Sequence, residues 1–169
     1  MEGLVGGVMI WDHITDDLKL VEATMNSAKK NGSACFENTK VISFEYAFDK
    51  NIYKIRTEGS TSGFFYAHKL LNATGPWVDK TRELLHDKEY DENMIEPIAG
   101  SHITLKRFLP ASVILQADDN RLFFVINRGE QARVGTTEWR CEDPDKVNPT
   151  AADIDYLLNS LSKYFPALK

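Results

Sequence analysis

Hydrophobic and polar positions change period several times along the chain, and each change marks an element. Leu18, Val21, Met25 and Ala28 recur at helical spacing behind Asp16 and Asp17, both good N-cap types. Lys29 and Lys30 suit a last turn, and Gly32 stands just past it as a stop. The pattern predicts a helix from Asp16 or Asp17 to Gly32, preceded by a short strand over residues 6–11, GGVMIW. The period then falls to two. Residues 40–46 (KVISFEY) and 52–57 (IYKIRT) alternate apolar and polar, Asp49, Lys50 and Asn51 turn between them, and a third strand is expected over 64–67. Residues 69–76 (KLLNATGP) form an apolar run ending in small residues, the pattern of a strand buried on both faces. A short helix is predicted over 77–86, after Pro76.

The second half predicts strands at 100–108, 111–116, 122–127 and 133–137, punctuated by Pro110, Asp118-Asp119-Asn120 and Arg128-Gly129-Glu130. Connections this short join antiparallel neighbours. Thr150 and Asp153 have the spacing of a capping box, with Asp in place of the usual Glu. Behind them Ile154, Leu157, Leu158, Leu161 and Phe165 make an apolar stripe that ends before Pro166, the mark of core packing. The fold class read from these elements is α+β, mostly antiparallel sheet with flanking helices.

Composition narrows the chemistry more than it identifies it. A chain of 169 residues can carry its own core. Ten basic residues fall on each side of Leu85, and the formal net charge is −5, so no basic face is available for nucleic acid. The densest acidic stretch, residues 87–96, reads as a solvated loop. Cys35 and Cys141 are far apart and belong to no C-x-x-C, which excludes a disulfide framework or zinc site and points to a reducing compartment. No apolar run approaches the ~20 residues that span a bilayer, and the first residues lack a cationic signal region. Membrane-spanning and secreted proteins are therefore not expected. His13, His68, His86 and His102 are scattered, so no metal site is expected, and G-x-G-x-x-G, Walker, G-x-S-x-G and H-E-x-x-H sequences are absent.

Four segments in register go further. LLNATGPWVDKTRELL (70–85), IAGSHITLKRF (98–108) and LFFVINRGEQARVGTTEW (122–139), with an opening G-G-x-x-x-W-D-x-x-T-D-D-x-x-L-V, resemble the FAD-dependent, aerobic-type glycerol-3-phosphate dehydrogenases of the D-amino-acid-oxidase-like flavoprotein superfamily. The resemblance covers essentially the whole chain. Members are longer and open with a Gly-rich strand–turn–helix that holds the FAD pyrophosphate on a helix N-terminus. That element is absent here, as are later segments that grip the substrate phosphate, so the chain looks like an excised middle section. On this resemblance, residues 12–86 are expected to be FAD-domain-like, 1–11 and 87–149 substrate-domain-like, and 150–169 a C-terminal helix.

The resemblance implies oxidation of sn-glycerol 3-phosphate to dihydroxyacetone phosphate by the intact protein, with FAD as cofactor and a quinone as electron acceptor. It also implies a cytoplasmic protein attached peripherally to the inner membrane face. The alternatives are a glycerol-3-phosphate oxidase using oxygen and a non-catalytic folding or interaction module. Ala73, Thr74 and Gly75, small residues at a strand end, are the candidate cofactor contacts, together with Val41 near the adenine. His102, in Gly100-Ser101-His102-Ile103, is the candidate general base, an imidazole with a pKa near 6.5 suited to taking the C2 hydroxyl proton. Ser101, Thr136 and Thr137 are candidate substrate contacts; Arg133 is within reach of the same strand end, and Lys106 and Arg107 are expected to be solvated. Without the Gly-rich turn the isolated chain is expected to be inactive and to bind no FAD. Its uncovered apolar run at residues 70–73 is expected to drive self-association.

Overall fold

The computed structural model describes residues 5–84 and 93–168. The chain divides into two compact units, one over Val8–Met94 and the other over Met1–Gly7 with Ile95–Lys169.

In the Val8–Met94 unit, helix α1 (Asp17–Lys30) begins where the sequence places it. The Asp16 carboxylate accepts from the Lys19 amide, and Asp17 lies in the first turn, complementing the helix dipole. Its end is a Schellman motif: the Ser33 amide donates to the Ala28 carbonyl and the Gly32 amide to that of Lys29. No residue of α1 is buried, so Leu18 and Val21 present their side chains outward. Strands β1 (Thr39–Ala47), β2 (Ile52–Gly59) and β3 (Gly63–Ala67) follow as an antiparallel meander in the order β1-β2-β3. The first turn closes when the Lys50 amide donates to the Ala47 carbonyl, with Asn51 in the left-handed region at φ 53°. Phe44 and Thr57 are buried within this sheet, and the Phe36 and Phe65 rings meet at 5.0 Å. A bulge shifts the β1–β2 register between Val41 and Ser43.

Two predicted strands of this unit do not form. Residues 6–11 belong to none of the three sheets, and Trp11 is 94% exposed; an apolar run becomes a strand only with a partner for its backbone, and none is paired with it among the described residues. Residues 69–76 also leave the extended state. The cause lies in Asn72: its Oδ1 accepts from the Thr74 amide (3.3 Å) and hydroxyl (2.7 Å), and its Nδ2 donates to the Val78 carbonyl. This local Asx bonding competes with a ladder. It leads the chain into a 3-10 turn (Gly75–Trp77) and helix α2 (Val78–Glu83), and Leu71 stays 89% exposed. The predicted helix over 77–86 is thus present up to Glu83; residues 85 and 86, like most of the acidic run at 87–96, lie outside the described residues.

The second unit holds a two-stranded ribbon, β4 (Ile98–Ala99) with β9 (Trp139–Arg140), and a four-stranded antiparallel sheet. The sheet contains β5 (His102–Lys106), β6 (Val113–Gln116), β7 (Leu122–Arg128) and β8 (Gln131–Gly135) in the order β5-β8-β7-β6. All four strands of the sheet fall in the segments that the turn signals set off; β4 and β9, two residues each, are too short to show a period. Leu115, Phe123, Val125, Ala132 and Val134 form the core together with Leu161 of helix α3 (Ala151–Tyr164). The stripe read from the sequence is graded: Leu157 and Leu161 are fully buried, whereas Ile154 and Leu158 are about 40% exposed at 43% and 40%. Phe108 meets Phe165 edge-on at 5.3 Å, and the Tyr164 hydroxyl donates to the Gln116 carbonyl, fixing the end of α3 on the sheet.

Leu161→Ala is expected to lower stability by about 2–5 kcal/mol, because it empties space between α3 and the sheet. Leu158→Ala, on the rim of the same stripe, should cost less than about 1 kcal/mol. Urea unfolding of the two variants beside wild type checks the contrast.

Candidate active site

Two chain segments meet at one end of the four-stranded sheet: Gly100-Ser101-His102 entering β5 and Gly135-Thr136-Thr137 leaving β8. His102 is registered opposite Gly135. The packing there is tight enough to exclude a side chain at two positions. A Cβ on Gly135, whose φ is 155°, would lie 2.7 Å from His102 Cδ2 and 2.9 Å from the Ser101 carbonyl oxygen. A Cβ on Gly100 would lie 2.1 Å from the Thr137 carbonyl oxygen. The glycines therefore let the two segments close and let the imidazole rest over backbone. The Gly135–Thr136 peptide is cis.

Hydrogen bonds lock the approach. The Ser101 amide donates to the Thr137 hydroxyl oxygen at 2.8 Å, and the Thr137 amide donates to the Ser101 carbonyl at 3.1 Å. Thr137, Thr150 and Asp153 line one pocket. Asp153 Oδ2 accepts from the Thr150 amide at 2.9 Å and hydroxyl at 2.8 Å, completing the capping box that starts α3. Ser101, Thr137 and Asp153 are all buried. The Thr137 hydroxyl and the Thr150 donors hold the Asp153 carboxyl below its usual range, since every donor favours the ionised form.

The candidate residues read from the sequence thus fall into distinct places. Ser101, His102, Thr136 and Thr137 come together at this sheet end. Ser101 and Thr137 are buried, while His102 and Thr136 are exposed. The Thr136 hydroxyl donates to the Thr137 carbonyl at 2.7 Å. Arg133 is registered opposite Thr104, two residues on from His102, and so shares its face of the sheet. Desolvation, and secondarily the Arg133 charge, lower the His102 pKa below 6.5. The imidazole is consequently neutral at neutral pH and able to accept a proton. Lys106 is exposed, as expected; Arg107 is exposed too, but its guanidinium bonds the carbonyls of Leu109 and Pro110. Sequence reasoning missed Asp153 as a site element. Its T-x-x-D spacing announces a helix cap and nothing about the pocket it shares with Thr137.

Val41 and Ala73–Gly75 belong to the other unit. Val41 is half-buried in β1, opposite Thr57 and beside the bulge. Ala73, Thr74 and Gly75 are exposed; Thr74 bonds Asn72 and Thr81, and no atom lies within 4 Å of a Cβ built on Gly75.

Comparison with known proteins decides the family. A match to the family described as FAD dependent oxidoreductase spans residues 1–169. The chain belongs to that family. The aerobic glycerol-3-phosphate dehydrogenase of Staphylococcus haemolyticus (strain JCSC1435) is 32% identical over 98% of the chain, and that of Bacillus subtilis (strain 168) is 31% identical over 99%. An alpha-glycerophosphate oxidase of Streptococcus pyogenes serotype M3 (strain MGAS315) is 30% identical over 98%. The glycerol-3-phosphate dehydrogenase from Bacillus halodurans, solved complexed with FAD, superimposes with a TM-score of 0.77 at 29% identity, covering 90% of this chain and 32% of its own. This FAD dependent oxidoreductase chain spans 31% of the length of the two dehydrogenases and 28% of the oxidase. The turn at Ala73–Gly75 has small, exposed residues, and the space over Gly75 is open.

By NMR titration, His102 is expected to ionise below 6.5 in the wild-type chain. The sign follows from linkage: the unfolded chain takes the proton first, so this contribution to stability is complete above 6.5 and declines as pH falls toward the folded pKa. Gly135→Ala should displace the ring, move its midpoint up toward 6.5 and destabilise the unit by more than about 1 kcal/mol. An unchanged His102 midpoint in that variant would contradict the packing described.

Proposed function

We propose that the whole protein oxidises sn-glycerol 3-phosphate to dihydroxyacetone phosphate, with His102 as general base. The observation that carries this reading is the imidazole held over Gly135 at an exposed sheet end, kept neutral by desolvation and by Arg133. The names of the relatives, matched over 98% or more of the chain, supply the substrate. In this reading the C2 hydroxyl of the substrate gives its proton to His102, and the C2 hydrogen departs with its electron pair as the carbonyl forms. Bound FAD supplies the acceptor for that hydride. Ala73, Thr74, Gly75 and Val41 are assigned to holding the cofactor. Thr136 is assigned to the substrate directly, and Ser101 and Thr137 shape the site from beneath. Residues 12–86 are assigned to the cofactor side, 1–11 and 87–149 to the substrate side, with 150–169 as a C-terminal helix.

The electrons are proposed to pass to a membrane quinone, from a cytoplasmic protein attached peripherally to the inner membrane face. Among the described residues no helix is long and apolar enough to cross a membrane. Self-association is proposed through exposed apolar positions such as Leu71, 89% exposed. A second reading, transfer to oxygen, is favoured by the similarity to the Streptococcus pyogenes oxidase.

In the full-length flavin-loaded protein, His102→Ala should lower turnover about 10²–10⁴-fold, the usual contribution of a general base, while KM changes little. His102→Gln should lose as much, because an amide holds a hydrogen bond yet cannot take the proton. Steady-state kinetics per bound flavin measures this; near wild-type turnover in both variants removes His102 from the role. Hydrogen peroxide formed in step with product, measured in the same assay, would replace the quinone with oxygen.

A further inference from the structure

The β7–β8 ladder stops at the Phe124–Gly135 pair. Continued without a break, its register would bring Arg121 opposite Glu138. A side chain takes over there: Nη1 of Arg121 donates to the Glu138 carbonyl at 3.0 Å. The rest of the guanidinium is already fixed. Its Nε donates to Asp119 Oδ2 at 2.7 Å, and Nη2 lies 2.6 Å from the same oxygen. The Arg121 amide also donates to Asp119 Oδ1, at 3.2 Å. Helix α3 backs the pair: the Tyr156 hydroxyl donates to Asp119 Oδ1 at 3.0 Å, and the guanidinium lies 4.8 Å from the centre of its ring. An arginine suits this place because its rigid planar fork meets a carboxylate and a carbonyl at once.

We propose that Arg121 is a positioning residue for the His102 site: held by Asp119 and Tyr156, its guanidinium grips the Glu138 carbonyl and keeps the segment from Gly135 to Glu138 closed on Ser101 where the ladder has ended. The inference deepens the assignment of His102 as base and rests on it for its catalytic meaning. Every link is a hydrogen bond or a peptide bond. Glu138 follows Thr137, whose hydroxyl oxygen receives the Ser101 amide at 2.8 Å and whose amide donates to the Ser101 carbonyl at 3.1 Å. Ser101 precedes His102, and its carbonyl oxygen is among the atoms that a Cβ on Gly135 would strike. Arg121, Thr137, Glu138 and Tyr156 also line one cavity, so the guanidinium and the strand end face the same space. The Arg121 and Asp119 side chains are 42% and 41% exposed, and an ion pair so placed adds little to stability. Its effect is therefore on where the Glu138 carbonyl sits, more than on whether the unit folds.

The test is NMR on the 169-residue chain, with amide exchange at Ser101 and Thr137 read against exchange at Val134, a fully buried residue that reports global opening. Arg121→Gln removes the charge and is too short to reach Glu138. It should speed exchange at Ser101 and Thr137 about fivefold to tenfold beyond any change at Val134, the scale of one lost hydrogen bond. The His102 ring resonances should shift with it, because the ring rests on the strand end that loosens. Asp119→Asn keeps an oxygen for the Tyr156 hydroxyl and loses the ion pair. It should move the same signals in the same direction, and it decides alone if Arg121→Gln fails to fold. In the full-length flavin-loaded protein, Arg121→Gln should lower kcat per bound flavin about tenfold and leave KM within about twofold. Equal changes at all three amides, with unmoved His102 resonances, would reduce Arg121 to a surface ion pair. Full turnover in His102→Gln would instead remove the base and leave the exchange results standing.

Discussion

In the second unit, the sheet end that carries His102 is closed by a pair of hydrogen bonds: the Ser101 amide donates to the Thr137 hydroxyl oxygen and the Thr137 amide to the Ser101 carbonyl. A buried Asp is costly unless its charge is met by donors. At Asp153 the donors are the Thr150 amide and hydroxyl at the start of α3. The buried Ser101 and Thr137 amides would be left unsatisfied apart, so the two strand ends are bound to one geometry. The hydrophobic packing of Leu161 sets α3 against the sheet, and the Ser101–Thr137 bonds close the sheet end where His102 lies. Packing is non-directional, whereas the hydrogen bonds are directional, and the site needs both.

Around that anchor the chemistry of the site follows from small distances. Gly100 and Gly135 have no room for a side chain, so backbone and imidazole stack where a larger residue would hold the strands apart. Proximity to Arg133 and partial desolvation disfavour the imidazolium, leaving a base that is unprotonated at neutral pH. The same fields would discourage a second cation nearby and favour an anionic or neutral partner at this face.

The Val8–Met94 unit is held by a different balance. Its sheet has a small core around Phe44, and its helix α1 relies on an Asp cap, a Schellman ending and charges suited to the dipole. A helix of 14 residues with no buried side chain draws little from packing, and helices of that length are marginal on propensity alone. Covering Leu18 or Val21 would each contribute about 1.5–3 kcal/mol. The apolar positions of this unit are thus an energetic reserve that the described contacts do not use.

Local rules were readable wherever a few neighbouring residues decide the outcome. The Asp16 cap, the Gly32 stop, the Asn51 turn, the four turn-bounded strands of the second sheet and the Thr150–Asp153 box all depend on contacts within about five residues or on a period of two. The motifs around Asn72, His102 and Thr136 were also enough to point to the family that the comparisons establish. The tertiary structure decided what apolar character alone leaves open. Residues 6–11 and 69–76 read as strands, but a strand exists only with a backbone partner, and at 69–76 the Asn72 amide bonds its own neighbours instead. The bond from the Ser101 amide to the Thr137 hydroxyl, 36 residues apart in sequence, has no local signature either. Periodicity records which face of an element is buried; which distant side chain meets a backbone donor is fixed only when the elements pack.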